Sequence, residues 1–149
     1  MCISFLLLSS FFLVNDVLAE GRRESTTLTV SAFVKDYIKT NIVHQEKKVK
    51  ITEEDVSRGY VEIQAATIVE LTTNSRMGCV LAFDTVEKGI FKEVLVRGQF
   101  GETKMGPDGG VIILKGERRF SLKLDYKFIL DEIKPGEYPW PLLLTISQM

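Results

Sequence analysis

The sequence is poor in the side chains from which most catalytic and metal sites are built. Its 149 residues include one histidine, one tryptophan and two cysteines. A histidine-centred catalytic site or a zinc site needs several such residues, and here His44 and Cys79 stand far apart in the chain. A charge imbalance is also lacking, because 19 basic and 20 acidic residues give a formal net charge of −1. Bulk charge therefore does not favour nucleic acid or an anionic membrane as a partner.

The acidic and glycine-rich segments do not replace the missing groups. Glu53-Glu54-Asp55 and Asp131-Glu132 lack the alternating acids and central glycine of a calcium loop, so we predict solvated loop acids. Residues 106–110 lack the Lys-Ser/Thr of a phosphate loop and predict a turn. Paired carboxylates for glycoside hydrolysis depend on spatial distances, which leaves that alternative open. We expect a non-catalytic protein with no cofactor and no metal.

No apolar run reaches the roughly 20 residues that a membrane-spanning helix needs. The longest such run, residues 3–14, precedes Val17-Leu18-Ala19, which has the small residues of a signal-peptide cleavage site. No lysine or arginine precedes the run, and Asp16 is an unusual charge near its end. We predict that residues 1–19 are a cleaved signal peptide and that the mature chain is secreted or periplasmic, without a stable membrane anchor. Cys2 would leave with the signal, so Cys79 could form no intrachain disulfide.

What the chain does contain is a series of short segments in which apolar residues occupy every second position. Such segments are residues 28–34, 48–51, 60–63, 91–96 and 120–128, and turn residues separate them at spacings of about 8–12 residues. No amphipathic helix of useful length is visible. We predict an all-β fold, an immunoglobulin-like antiparallel β-sandwich with a single domain over residues 20–149, and we retain a small barrel as the alternative.

Three shorter segments give weaker expectations. Residues 37–44 are compatible with a loop or a short strand. Residues 74–78 have the asparagine and glycine of a hairpin loop, which makes residues 79–83 the return strand. Ser57-Arg58-Gly59 predicts a turn.

The C-terminal run KPGEYPWPLLLTI places five large apolar residues on one face of an extended strand. They are Tyr138, Trp140, Leu142, Leu144 and Ile146. Pro139 and Pro141 remove backbone donors, which confines the first half of this closing strand to an edge or a bulge. The second half, residues 142–146, is free to pair on both sides.

The ends of the predicted mature chain resemble those of bacterial fimbrial subunits and the spore coat protein U family. The resemblance rests on the signal, the strand at residues 28–34, the Pro135-Gly136-Glu-Tyr138 turn and the final alternating strand. Uncharacterised exported bacterial β-sandwich proteins are also similar, through Gly59-Tyr60-Val61, Thr73-Asn74-Ser75, Gly78 and Tyr138-Pro139-Trp140-Pro141. The resemblance implies an immunoglobulin-like sandwich with a structural or surface-assembly role. The chain departs from it because fimbrial subunits usually carry a cysteine pair near the first strand.

Two sets of residues are candidates for contact with a partner. Leu28, Val30, Ala32 and Val34 alternate as a strand that could pair with its own sheet or with a neighbouring molecule, itself or another envelope protein. Tyr138 and Trp140, together with Phe33, could form an aromatic platform for a carbohydrate or a cell-envelope partner. Burial of Tyr138 and Trp140 beside Leu142 is the competing interpretation.

Overall fold

Ten β-strands and one short helix account for most of the described residues, which in this computed structural model are 31–32, 34–116 and 118–149. The elements in chain order are β1 (Ile38–Gln45), β2 (Lys48–Ile51), α1 (Glu53–Arg58), β3 (Tyr60–Thr73), β4 (Cys79–Thr85), β5 (Phe91–Gly98), β6 (Gly101–Met105), β7 (Gly109–Leu114), β8 (Arg119–Leu130), β9 (Gly136–Pro139) and β10 (Leu142–Gln148). The predicted all-β class is confirmed.

The described strands form three sheets, and every strand pairing is antiparallel. A five-stranded sheet has the order β1-β3-β8-β5-β6, a three-stranded sheet has the order β10-β4-β7, and β2 pairs with β9 alone. Cα atoms of β1 and β10 approach within 8 Å, but the two strands do not pair. The two larger sheets therefore do not close into a barrel on this side.

The inner faces of the two larger sheets share one hydrophobic core. On β8 the predicted alternation is confirmed, with every second residue from Phe120 to Leu130 buried. Phe83 of β4 faces this ladder from the smaller sheet, and its ring lies 6.3 Å from that of Tyr126, edge to face. Each large apolar side chain buried in this way stabilises the fold by about 1.5–3 kcal/mol.

Strand β3 is longer than the strand at residues 60–63 that the sequence predicts. Its register against β8 is irregular between Ile63 and Thr67, where Ala65 has a φ of 52°. The backbone N–H of Ala65 donates a hydrogen bond to Asp125 Oδ1 at 2.6 Å, which satisfies a donor that leaves the ladder. A β-bulge thus joins two segments that alternate separately along the sequence.

The predicted hairpin at residues 74–78 is wrong. β3 belongs to the five-stranded sheet and β4 to the three-stranded sheet, so this loop crosses from one layer to the other. At Gly78, φ is 97°, and a Cβ atom would lie 1.9 Å from the carbonyl oxygen of Leu114. The glycine that suggests a hairpin is required instead by a close approach of backbones.

The prediction of a loop at Glu53-Glu54-Asp55 is wrong, because residues 53–58 form helix α1. Of the predicted turn only Gly59 keeps that role, since it ends the helix with a left-handed φ of 79°. The Thr52 hydroxyl accepts a hydrogen bond from the Asp55 backbone, and the Asp55 carboxylate accepts one from the Thr52 backbone at 2.9 Å. This capping box satisfies the first free donors of the helix. Hydrogen bonding from Thr52 and Arg58 lowers the pKa of the buried Asp55 carboxyl against the opposing effect of burial.

The C-terminal run forms two strands in different sheets, where the sequence predicts one. β9 pairs with β2, the strand is interrupted at Trp140 and Pro141, and β10 then pairs with β4. The two prolines account for the break because neither can donate to a ladder. The predicted inward alternation still holds, since Leu142 is buried, Leu144 and Ile146 are partly buried, and the residues between them are exposed.

Candidate functional site

The predicted pairing segment falls mostly outside the described residues. Nothing is described for Leu28 and Val30, or for the aromatic candidate Phe33. Ala32 is exposed, Val34 is 73 % exposed, and neither belongs to a strand. At these two positions the structure does not contain the predicted first strand.

Immediately after Val34 the chain is fastened to the loop that follows β3. The backbone N–H of Tyr37 donates to Asn74 Oδ1 at 2.6 Å, and Asn74 Nδ2 donates to the carbonyl of Lys35 at 3.0 Å. The Thr73 hydroxyl donates to the Tyr37 carbonyl at 2.9 Å. Lys35 and Tyr37 are therefore held at the corner where β3 gives way to β4.

β10 ends at the same corner, because Gln148 pairs with Cys79 at the start of β4. Among the described strands β10 pairs only with β4, so its other edge is unpaired along seven residues, LLLTISQ. None of these residues is charged and none is proline. Natural sheet edges are usually protected by lysine, proline or bulges, and β10 has none of the three.

Other edges of the described sheets carry such protection, except β7, whose residues GGVIIL include neither a charged residue nor a proline. Exposed lysines alternate along β2, and Lys48 Nζ lies 2.7 Å from Glu137 Oε1 of β9, which itself ends at Pro139. β6 presents Glu102 and Lys104, each paired with a charged residue of β5. Both edges of the three-stranded sheet are therefore chemically suited to accept another strand, and β10, with seven residues against six in β7, is the longer of the two.

The aromatic candidates are placed in and beside the core. Trp140 is 8 % exposed, and its ring contacts those of Tyr126 at 5.1 Å and Phe128 at 5.6 Å, both edge to face. Tyr138 is partly buried and donates its hydroxyl to the Lys134 carbonyl at 2.7 Å. An aromatic platform needs an exposed ring face, and Trp140 presents none. The structure thus favours the core interpretation of this pair.

The two residues suited to nucleophilic chemistry are not brought together. His44 is exposed on β1 in the five-stranded sheet, beside Glu46 at 3.4 Å. Cys79 is fully buried on β4 in the three-stranded sheet, and burial raises the pKa of its thiol. A buried neutral thiol is a poor nucleophile, so Cys79 serves as a small core residue.

One polar pair lies inside the core. The hydroxyls of Thr67 and Tyr126 are 3.0 Å apart and satisfy each other. Burial raises the pKa of Tyr126 to about 12, although the hydrogen bond with Thr67 opposes the shift. With no acid or base beside it, this pair orients the core and offers no route for proton transfer.

Two searches of the described residues were negative. No group of three or more histidine, cysteine, aspartate or glutamate side chains is arranged to hold a metal ion. In the same part of the chain no helix has the length and apolar character to cross a membrane.

The surface that sequence reasoning missed is the outer face of the three-stranded sheet. Residues 111–114 and 142–144 are runs of consecutive apolar residues, and such runs place apolar side chains on both faces of a strand. That continuity was the available signal.

Comparisons with protein-family models, curated proteins and solved structures found no match.

Proposed function

We propose that this chain is an exported, non-catalytic protein with an immunoglobulin-like β-sandwich, and that it has a structural or surface-assembly role. Its partner is a second copy or another envelope protein, joined by β-strand addition. The signal-like N-terminus supports export. The antiparallel sheets around a common core support the sandwich, and the separation of His44 from Cys79 supports the absence of catalysis.

The observation that carries the proposal is the unprotected edge of β10. An added strand gains main-chain hydrogen bonds along such an edge, and alternating aliphatic side chains can then cover the partly buried Leu144 and Ile146. The segment with Leu28, Val30, Ala32 and Val34 has that alternation. It thus matches the edge in both length and chemistry.

The geometry at the corner favours addition between molecules. The backbone N–H of Tyr37 donates a hydrogen bond to Asn74, and Gln148 pairs with Cys79, which follows Asn74 by five residues. Tyr37 and the end of β10 therefore lie at the same end of the sheets. If residues 28–34 paired with β10 of their own molecule, both strands would end at this corner and the pairing would be parallel. A second molecule can supply the segment in the opposite direction and form antiparallel pairs, which are slightly more stable per residue.

The test is hydrogen exchange on the exported chain in the presence of a peptide of residues 27–34. We expect slower exchange in β10, Leu142–Gln148, and no change in the protected edge β6. The matched control is the same peptide with Val30→Pro, which removes a ladder donor and should give no protection. If β10 exchanges equally fast with and without the peptide, and the chain alone shows no protection there at high concentration, strand addition at this edge is rejected.

A further inference from the structure

The outer face of the three-stranded sheet is apolar, although it points away from the core. Its side chains alternate with the buried Leu81 and Phe83 of β4. Strand register arranges them in three rows, each running from β10 through β4 to β7: Ser147, Val80 and Ile113; Thr145, Ala82 and Val111; Leu143, Asp84 and Gly109. Asp84 is the one charged residue in these rows.

The bulky residues of this face are more than half exposed. Val111 is 57 % exposed, and Ile113 and Leu143 are each 52 % exposed. Scattered apolar residues on a surface are ordinary, but here they share one continuous face with Val80 and Ala82. A contiguous patch of this kind indicates a contact surface.

The five-stranded sheet treats its outer face differently. Glu62 Oε1 lies 3.3 Å from Lys127 Nζ and 3.8 Å from Arg97 Nη1, and Arg97 also pairs with Glu102. This network links β3, β8, β5 and β6 and is suited to contact with water. By comparison, the three-stranded sheet is the layer whose outer face exposes apolar side chains to water.

The size of the face limits what can cover it. Three strands about 4.8 Å apart, each with five to seven residues at about 3.4 Å per residue, present a face of about 300 Å² in projection. Contact between two such faces buries less than the roughly 1,600 Å² of a standard protein interface. A second copy would therefore bind weakly, as partners with small interfaces do.

The arrangement of large and small residues makes the face complementary to itself. A two-fold axis that runs parallel to β4, midway between the two facing sheets and above Ala82, places the β7 side of one copy over the β10 side of the other. Ile113 then lies over Ser147 of the second copy, and Leu143 lies over the side-chain-free Gly109. Large residues meet small ones in each outer pair, which is how packed sheets interdigitate.

We propose that two copies of this chain pack face to face through the outer faces of their three-stranded sheets, about this two-fold axis. The same axis brings Asp84 opposite Asp84 of the second copy, about 10 Å away if the sheets are spaced normally. The two like charges oppose the contact. The proposal concerns a different surface from the β10 edge and does not depend on strand addition.

The test is sedimentation velocity on the exported chain over a micromolar to millimolar concentration series. The wild type should show a concentration-dependent dimer. Ile113→Lys should weaken it at least tenfold, because the contact would then bury a charged group opposite Ser147, which cannot neutralise it. Asp84→Asn should strengthen it by about twofold at low salt, since it removes the repulsion between the facing carboxylates.

Val43→Lys is the matched control, because Val43 is 56 % exposed on β1 in the other sheet. It adds the same charge at the same exposure and should leave dimerisation unchanged. A wild type that remains monomeric throughout the series would overturn the proposal, as would a dimer that Asp84→Asn weakens. If Ile113→Lys leaves the dimer intact, and if the dimer is lost together with the protection of β10 from hydrogen exchange, then the copies associate through the strand edge alone.

Discussion

Replacement of Trp140 with alanine tests the central statement about the core. The indole is 8 % exposed and packs edge to face on Tyr126 and Phe128 at centroid distances of 5.1 and 5.6 Å. A buried aromatic residue replaced by alanine typically costs about 3–5 kcal/mol, and each aromatic pair contributes about 0.5–1.5 kcal/mol of it. Since the free energy of unfolding of such domains is about 5–15 kcal/mol, the change should remove about a fifth of the stability or more.

The measurement is urea unfolding followed by far-ultraviolet circular dichroism, because the variant has lost the only tryptophan. Trp140→Phe should recover part of the loss by keeping one ring in the cavity. Tyr138→Ala, at a partly buried position on the same face, is the control and should cost about 1 kcal/mol. A loss at Trp140→Ala no greater than that of the control would refute the core placement, as would a wild-type fluorescence maximum typical of indole in water.

Three further changes test local features. Asp55→Ala removes the capping box and should cost about 0.5–2 kcal/mol in urea unfolding. Because hydrogen bonding from Thr52 lowers the pKa of Asp55, this stability should be present above pH 3.8 and lost as pH falls through the folded pKa; equal acid sensitivity of variant and wild type would contradict it. Burial raises the pKa of Tyr126 from 10 to about 12, so stability should decline from pH 10 to 12, and a Tyr126→Phe variant with the same decline would refute that cause. Gly109→Ala should lower the melting temperature by several degrees, because φ is 98° and a Cβ would lie 1.8 Å from the Phe83 carbonyl oxygen; an unchanged melting temperature would show that the turn relaxes.

Local alternation predicted the strands in which one face is buried and the other exposed. In β8 the buried and exposed residues alternate from Phe120 to Leu130, and in β2 the lysines point outward beside buried Val49 and Ile51. These strands can be recognised from the sequence because burial on one face imposes an apolar residue at every second position. β6, GETKM, was not predicted, because Met105 is its single buried residue.

Strand partners could not be predicted with the same certainty. Residues 74–78 have hairpin chemistry, but β3 and β4 lie in different layers because each finds partners that are distant in sequence, β8 for one and β10 for the other. Pairing is decided by how whole faces pack, and a short loop does not contain that information.

Helix α1 is a different case. Thr52 and Asp55 have the spacing of a capping box, so the sequence contains a signal for the start of this helix, which a search for alternating apolar residues does not detect.

The two proposed contacts would build different assemblies. Addition of residues 28–34 to the β10 edge of a neighbour is a head-to-tail contact, because the donating and accepting surfaces differ, and it continues into a chain unless a rotation closes it. Contact between outer faces uses the same surface on both copies and stops at two. Both surfaces belong to the three-stranded sheet, yet an edge and a face can be occupied at once. If both contacts form, two head-to-tail polymers of equal length are joined side by side. Ile113→Lys should then halve the mass per unit length of this assembly without shortening it.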